Sequence, residues 1–424
     1  MQKMYSIKKY ISMKVLWFEI TTPSHYKDDG AVLAGWQDSL EAIVAERNDI
    51  DLYIAFESNA EDQPKVQGNV HYIPLPTSYS WIQRKKAGFS QMESAKHILP
   101  KAIEVIHQIK PDIIQVFGNE WPFGLVAKET DIPVVIHIQG AIIPYTNAQY
   151  PPMYNNYTMF LQSGFNPKIC WKLLRQYCYN NSRLSMERQI WNSVEYYMGR
   201  TQWDKALCNT LHPGSKYYHV EEAIRPIFLE DKYHWQGFKG GKVKLLSTGI
   251  SFWKGADVML KTAHVLKNMG VDFEWLVAGK MDSFFLEVIE KHEKLKFKDN
   301  NIQILGFTQP NELVNLLCES TLYVHTAYID NSPNSICEAQ LLGVPVIATY
   351  VGGIPSLVEH NKDGVLVPAN DPWQTADSIV RLVNDKERLA CYSLEARSKA
   401  LKRHFSDNIY AQLINCYRSI LNKK

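Results

Sequence analysis

Strand-length apolar runs alternate with helix-length segments along this chain, and the series occurs twice, on either side of one glycine-rich break. In the first half the runs Lys14–Ile20, Leu52–Phe56, Val70–Pro74, Asp112–Phe117 and Pro133–Ile138 read as strands. Helical segments over Gly35–Ala45 and 92–109 lie between them. After the break come Val243–Thr248, Phe273–Ala278, Ile302–Leu305, Leu322–His325 and Val346–Ala348. Helices near 255–269, 283–295, 311–319, 334–342 and 372–384 intervene. Strands separated by helices predict parallel sheets with right-handed crossovers. The expected fold class is α/β: two doubly wound, Rossmann-like domains facing a central cleft. Ligands of such sheets bind outside the carboxyl ends of the strands, so each half aims its site at that cleft.

A chain of 424 residues accommodates two such domains. The expected boundaries are 1–230 for the first domain, 231–242 for a linker with three glycines, and 243–405 for the second domain. A last helix, 406–424, carries Ile409, Leu413 and Cys416 on apolar positions. Residues 141–185 break the rhythm with many Tyr, Asn and Pro and with aromatic-basic stretches such as Trp171-Lys172-Leu173-Leu174-Arg175. They read either as a helical insertion packed on the first domain or as an acceptor-binding or membrane-facing flap. A formal net charge of +2 gives no case for nucleic acid. Lys3, Lys8, Lys9 and Lys14 form either a solvated leader or a weak attraction to an anionic membrane face. Seven cysteines, odd in number and without metal-ligand spacing, read as free thiols in a reducing compartment. No apolar run approaches the length of about 18 residues that spans a bilayer, and the first residues lack an apolar signal region. A cytoplasmic location is expected.

The stretch from Tyr328 to Ile347 carries the most chemistry. Ser332 followed by Pro333 reads as a capping hydroxyl and a proline at the first helical position, and Gly343 with Pro345 ends the helix. The amides of Asn334 and Ser335 then lie in the first turn without intrahelical acceptors. Such a helix end binds anions, and a diphosphate fits it. Glu338 falls on the same face, placed to accept from ribose hydroxyls, and Asp330 precedes the helix, within approach of a sugar. The plainer alternative is an acidic cap on a buried helix with Glu338 solvated.

The segment resembles the acid-x7-Glu region of the retaining, two-domain family 4 glycosyltransferases (glycosyl transferases group 1), which have the GT-B fold. The matching residues are Asp330, Glu338-Ala339 and Gly343-Val344-Pro345-Val346, with Gly352-Gly353-Ile354-Pro355 and Gly364–Val367 downstream. The first acid is Asp where the family has Glu, one methylene shorter. Trp253-Lys254-Gly255 matches the family's Lys-Gly, which implies that Lys254 neutralises the donor diphosphate as the leaving group departs. Gly249, Gly279 and Gly306 match strand-end glycines that let a nucleotide approach the backbone. Ile250 and Ser251 follow Gly249 where many members have Arg, so a second phosphate cation is either missing there or comes from elsewhere. In the first half Gly35 matches the glycine near the donor phosphates, and Glu120, Gln139 and Arg200 sit at strand ends as acceptor-side candidates, with a domain-internal ion pair the alternative for Glu120 and Arg200. Gln139 stands where many members have His and cannot act as a general base.

The resemblance implies a retaining glycosyltransferase, with Asp330, Glu338 and Lys254 as catalytic residues. Gly35, Gly249, Lys254, Gly279, Gly306, Asn334, Ser335 and Glu338 would hold a UDP- or GDP-linked sugar. No cofactor and no metal is expected, although Asp49-Ile50-Asp51 superficially matches a metal-binding Asp-x-Asp. The expected partners are this donor and a glycan or lipid-linked acceptor in envelope or capsular polysaccharide synthesis, with peripheral contact at the inner membrane face allowed. The alternative is a sugar-binding or scaffold protein of the same fold, inactive through the Asp330 exchange and the missing Arg.

Overall fold

The computed structural model describes residues 12–27 and 35–422. Of the amino-terminal lysines, Lys3, Lys8 and Lys9 lie outside the described residues. The first sheet contains β1 (Met13–Glu19), β2 (Ile50–Ser58), β3 (Lys65–Gln67), β4 (Val70–Pro76), β5 (Ile113–Phe117), β6 (Val134–His137), β7 (Tyr196–Gly199) and β8 (Lys216–His219). Its order is β3-β4-β2-β1-β5-β6-β7-β8, parallel except for the antiparallel β3. The second sheet contains β9 (Val243–Thr248), β10 (Phe273–Ala278), β11 (Ile302–Gly306), β12 (Leu322–His325), β13 (Val346–Thr349) and β14 (Val365–Val367). Its order is β11-β10-β9-β12-β13-β14, all parallel. Order reverses beside β1 in one sheet and beside β9 in the other, and both switch points open toward the seam between the domains. Strands β5, β6, β12 and β13 are buried along their whole length, as expected where helices cover both faces.

The chain crosses between the domains earlier than residues 231–242. Val220 and Ala223 belong to the first core, whereas Ile224 and Phe228 already pack in the second. The glycine-rich stretch instead runs along the second domain, where Trp235 donates its indole N–H to Ser320 O at 2.8 Å. Trp235 is half-buried, and this bond to its polar tip helps hold the strap in place.

The chain returns through the helix Ser406–Leu421. Ile409, Leu413, Cys416 and Tyr417 are buried against Val15, Trp17 and Ile113 of the first sheet. Trp17 Nε1 donates to Tyr417 Oη at 2.9 Å, and Tyr417 donates in turn to Gln115. Asp49 accepts from Tyr410 on this helix, and Asp51 accepts from Tyr53 and pairs with His71, so both carboxylates of the Asp-x-Asp stretch serve local contacts.

The irregular stretch after β6 holds the helices Asn156–Gln162 and Pro167–Trp191. It does not pack on the first domain alone. Met186 and Ile190 enter the first core, while Tyr154 and Met159 enter the second. Tyr154 donates to Glu293 at 2.8 Å, and Lys172 pairs with Asp282. The insertion therefore ties the two domains together on one flank of the cleft. All seven cysteines are unpaired. No helix among the described residues is long and apolar enough to cross a membrane.

Leu413→Ala removes a fully buried side chain from the contact between the closing helix and the first sheet. It is expected to destabilise the protein by about 2–5 kcal/mol, read as a lower denaturant midpoint; an unchanged midpoint would show that this helix is not part of the core.

Candidate functional site

The helix Asn334–Leu342 starts at the seam, directly after the loop that follows β12. Its start differs from the one expected. Pro333 occupies the capping position with extended backbone, and no side chain caps the helix. Ser332 is drawn off to the other domain's side, where its hydroxyl donates to both oxygens of Glu222 at 2.7 and 2.9 Å. A residue before proline favours extended backbone, which turns Ser332 away from the helix end. The carbonyl of Pro333 takes the amide of Ile336 at 2.9 Å. The amides of Asn334 and Ser335 have no backbone acceptor among the described residues, and both residues are half-buried, so the helix end stays open. Gly35, at the start of the helix Trp36–Ala45, lies across from it: a Cβ there would sit 3.8 Å from Asn334 Nδ2. Two helix N-termini thus face one another across the seam.

The strand-end glycines form one edge of the crevice. Gly249, Gly279 and Gly306 follow or end β9, β10 and β11, and the Gly279 amide donates to Gly306 O at 2.7 Å. Gly279 has φ of +138°, and a Cβ on it would come within 3.0 Å of the Gly249 backbone, so only glycine fits. Beside them a hollow of about 280 Å³ is lined by Thr248, Ala278, Gly279, Lys280, Phe307 and Thr308 among others. A larger crevice of about 520 Å³ runs between the insertion and the second domain, past Tyr145, Gln176, Arg183, Ile250, Trp253 and Lys280.

Lys254, Asp330 and His325 form a buried cluster. Lys254 Nζ pairs with Asp330 Oδ2, which also lies 3.0 Å from His325 Nε2. The other oxygen accepts the Asn331 amide at 3.0 Å, with the Tyr145 hydroxyl at 3.5 Å. Burial alone would raise the Asp330 carboxyl, but Lys254 and His325 outweigh it and hold it well below the usual carboxylate range. Burial pushes His325 below its ordinary value, and the Lys254 charge adds to that. Gly352 packs on the same turn, where any Cβ would collide with the Asp330 carbonyl. The sequence gives Lys254 to the phosphates alone, whereas in the structure the Asp330 carboxylate shares its charge. Glu338 is also engaged. Its Oε1 accepts from Arg225 Nε at 3.0 Å and Nη2 at 2.6 Å, while Oε2 makes no hydrogen bond among the described residues. Burial raises its carboxyl and Arg225 opposes that.

None of the three acceptor-side candidates lines the larger crevice, and Arg200 borders a separate hollow of about 590 Å³ with Trp203 and Tyr350. Arg200 Nη2 donates to Gln139 O at 3.1 Å, and its Nε lies 3.1 Å from Glu222. It is 3% exposed, so its charge belongs to the domain seam. Gln139 O also accepts from Asn331 Nδ2 at 3.1 Å. Glu120 is tucked between Gly118 and Gly140, and burial raises its carboxyl. The cations of the crevice wall come from positions with no motif. Lys280 follows the Gly279 turn and Arg183 belongs to the insertion, and both line the same crevice as Ile250 and Ser251. The Ala278-Gly279 strand end carried the only signal for Lys280. Glu187 was also unmarked. It accepts from the amides of Ile142 and Ile143 at 2.8 and 2.6 Å, fixing the chain that leads to Tyr145, and burial pushes its carboxyl up to about 7. Glu222, Cys337 and His404 bring three ligand-type atoms together, but Arg200 and Ser332 already occupy that carboxylate.

Residues 242–385 match the family model described as glycosyl transferases group 1. That match covers the second domain. The chain is 28% identical over 171 residues to the amylovoran biosynthesis glycosyltransferase AmsK of Erwinia amylovora, covering 38% of this chain and 40% of that one. It is 31% identical over 172 residues to a D-inositol 3-phosphate glycosyltransferase of Corynebacterium urealyticum, covering 39% and 40%. The chain thus spans about two fifths of the length of these curated relatives. Likeness of fold extends further. Sucrose-phosphate synthase from Thermosynechococcus elongatus superposes over 97% of this chain and 100% of its own, with a TM-score of 0.71 at 14% identity. Anabaena HepE in complex with UDP-glucose does so over 96% and 100%, with a TM-score of 0.61 at 16% identity. The architecture is the GT-B fold.

Because the Asp330 carboxyl is held low in the folded state, it contributes stability above the ordinary carboxylate range that is lost as pH falls. Lys254→Ala removes the main charge holding it low and raises its folded-state value. Acid unfolding followed by circular dichroism is expected to move to higher pH in that variant; an unmoved or lowered transition would show that the pair is not coupled.

Proposed function

We propose that the protein is a retaining glycosyltransferase that moves a sugar from a nucleoside diphosphate to a hydroxyl of a glycan or lipid-linked acceptor, in the synthesis of a surface polysaccharide. One observation carries the reading: an uncapped helix start with the free amides of Asn334 and Ser335 opens beside a glycine-edged hollow and two lysines, Lys254 and Lys280. Amides at a helix N-terminus bind phosphate, and the lysines add charge where it develops as the leaving group departs. Names among the relatives agree, since AmsK and the colanic acid protein WcaL are described as polysaccharide-biosynthesis glycosyltransferases.

The base lies over Gly279 in the hollow beside Phe307, and the ribose hydroxyls donate to Glu338 Oε2. Asp330, held anionic, accepts from a sugar hydroxyl. The anomeric C–O bond to phosphate breaks while the acceptor oxygen bonds on the same face, and its proton passes to the departing phosphate oxygen. Lys254, Lys280 and Arg183 stabilise the diphosphate, so this account needs no metal. Uridine is the first base to test, because HepE has been solved with UDP and UDP-glucose. The reaction is assigned to the inner face of the membrane.

Glu338→Ala and Lys254→Ala are each expected to lower kcat/KM for transfer from the matching UDP- or GDP-sugar by about 10²–10³-fold with the fold retained. UDP or GDP at a hundredfold excess over its Kd should stabilise the folded protein by about 2.7 kcal/mol, read as a raised melting temperature. A wild-type protein that neither responds to any nucleotide sugar nor transfers from one would favour the scaffold alternative.

A further inference from the structure

The chain as a whole balances 46 Lys and Arg against 44 Asp and Glu, yet two stretches carry basic residues without acidic ones. Between Asp131 and Glu187 there is no acidic residue, nor is there one from Tyr79 to Ser90. These two stretches meet in space. The short helix Trp81–Ala87 ends against the long helix Pro167–Trp191, where Arg175 Nε donates to Gly88 O at 2.8 Å and Phe89 packs edge-on against Trp171. A Cβ on Gly88 would lie 2.7 Å from the Arg175 guanidinium, so the glycine makes room for that charge.

The two helices enclose a cavity of about 470 Å³ lined by Arg84, Gly88, Lys172, Arg175, Gln176 and Tyr179. Three cations and no carboxylate face it. Lys172 is shared with Asp282, but Arg84 and Arg175 have no ion-pair partner among the described residues. The rim is apolar and open: Trp81 is 74% exposed, Ile82 60%, Trp171 58% and Leu174 50%. Lys85 Nζ lies over the Trp81 ring at 5.6 Å. Exposed tryptophans beside lysines and arginines suit the boundary between lipid headgroups and acyl chains, where rings insert and cations meet phosphate. The cavity also adjoins the crevice of the candidate site. Gln176 lines both, and Asp282, the partner of Lys172, lines the crevice.

We propose that this cavity holds the phosphate headgroup of an anionic membrane lipid, with Trp81, Ile82, Trp171 and Leu174 seated in the bilayer interface. Docked in this way, the protein brings the crevice that shares Gln176 with the cavity close to the bilayer surface. The inference deepens the reading of a lipid-linked acceptor, whose reacting end would then enter past Gln176. Vesicle binding itself is independent of transferase activity.

The test is co-sedimentation of the full chain with vesicles of phosphatidylcholine alone and of phosphatidylcholine mixed with phosphatidylglycerol. Binding is expected for the mixture, weakening as salt rises. The variant R84Q/R175Q should partition about thirtyfold less, at roughly fivefold for each cation lost near the surface. W81A/W171A should also release the protein. Should the double arginine variant fold poorly, R84Q alone, on an exposed side chain, is expected to show about a fivefold loss. Neutralising two exposed lysines of the second domain, K386Q/K402Q, should leave binding unchanged. Equal binding to both vesicle types, wild-type binding by the arginine variants, or equal loss in the lysine control would overturn the proposal. A protein that bound vesicles as expected yet transferred no sugar would overturn only the transferase reading.

Discussion

The structure depends on Glu222, a carboxylate with no solvent exposure, placed where the chain passes from one domain to the other. An unpaired charge there would cost several kcal/mol, so the surroundings have to answer it. Arg200 comes from the turn after β7, and Ser332 and Cys337 come from around the start of the site helix, while His404, on the approach to the closing helix, bonds the Glu222 backbone carbonyl through Nδ1. Burial would raise the Glu222 carboxyl, but Arg200 and its other partners hold it below its ordinary value. Removing any one of them leaves charge or donor unmatched, so the network prescribes how the helix Asn334–Leu342 stands against the first domain.

A second polar clasp lies beside it. Asn331 is 1% exposed and spends its whole side chain on the first domain. Its amide nitrogen donates to Asp204 at 2.7 Å and to Gln139 O, and its oxygen accepts from Thr201 at 3.0 Å. Asp330 precedes it by one residue. The carboxylate proposed to meet the sugar is thus fixed by a neighbour anchored across the seam, which is how a site between two domains gains the preorganisation that catalysis needs.

The fold was legible because fully buried parallel strands read as unbroken apolar runs. The boundaries read for β9, β10 and β12 coincide with those observed. The strands β7 and β8 went unread, since Tyr196–Gly199 is short and half tyrosine, and the edge strand Lys216–His219 mixes lysine, tyrosine and histidine. The crossing at Ala223–Ile224 was hidden because glycines at 231–242 signal backbone freedom, whereas the actual crossing is held by packing. Within the site, Asp330, Asn334, Ser335 and Glu338 carried local signals of spacing and helix punctuation, and Lys254 was marked only by its match to the family's Lys-Gly. Their partners carried no such signal. Arg225 is 113 residues from Glu338, and Glu222 lies 110 residues before Ser332. Ser332 was misread for that reason: a serine before a proline is a good cap locally, but a buried carboxylate from another part of the chain claims its hydroxyl.

The central claim is that a sugar nucleotide's diphosphate docks on the opening of the helix Asn334–Leu342. A crystal structure of the protein with UDP or GDP bound tests it most directly. The account predicts phosphate oxygens at ~3 Å from the amide nitrogens of Asn334 and Ser335, with the base in the hollow beside Gly279. A nucleotide bound elsewhere, with those two amides still open, would contradict it.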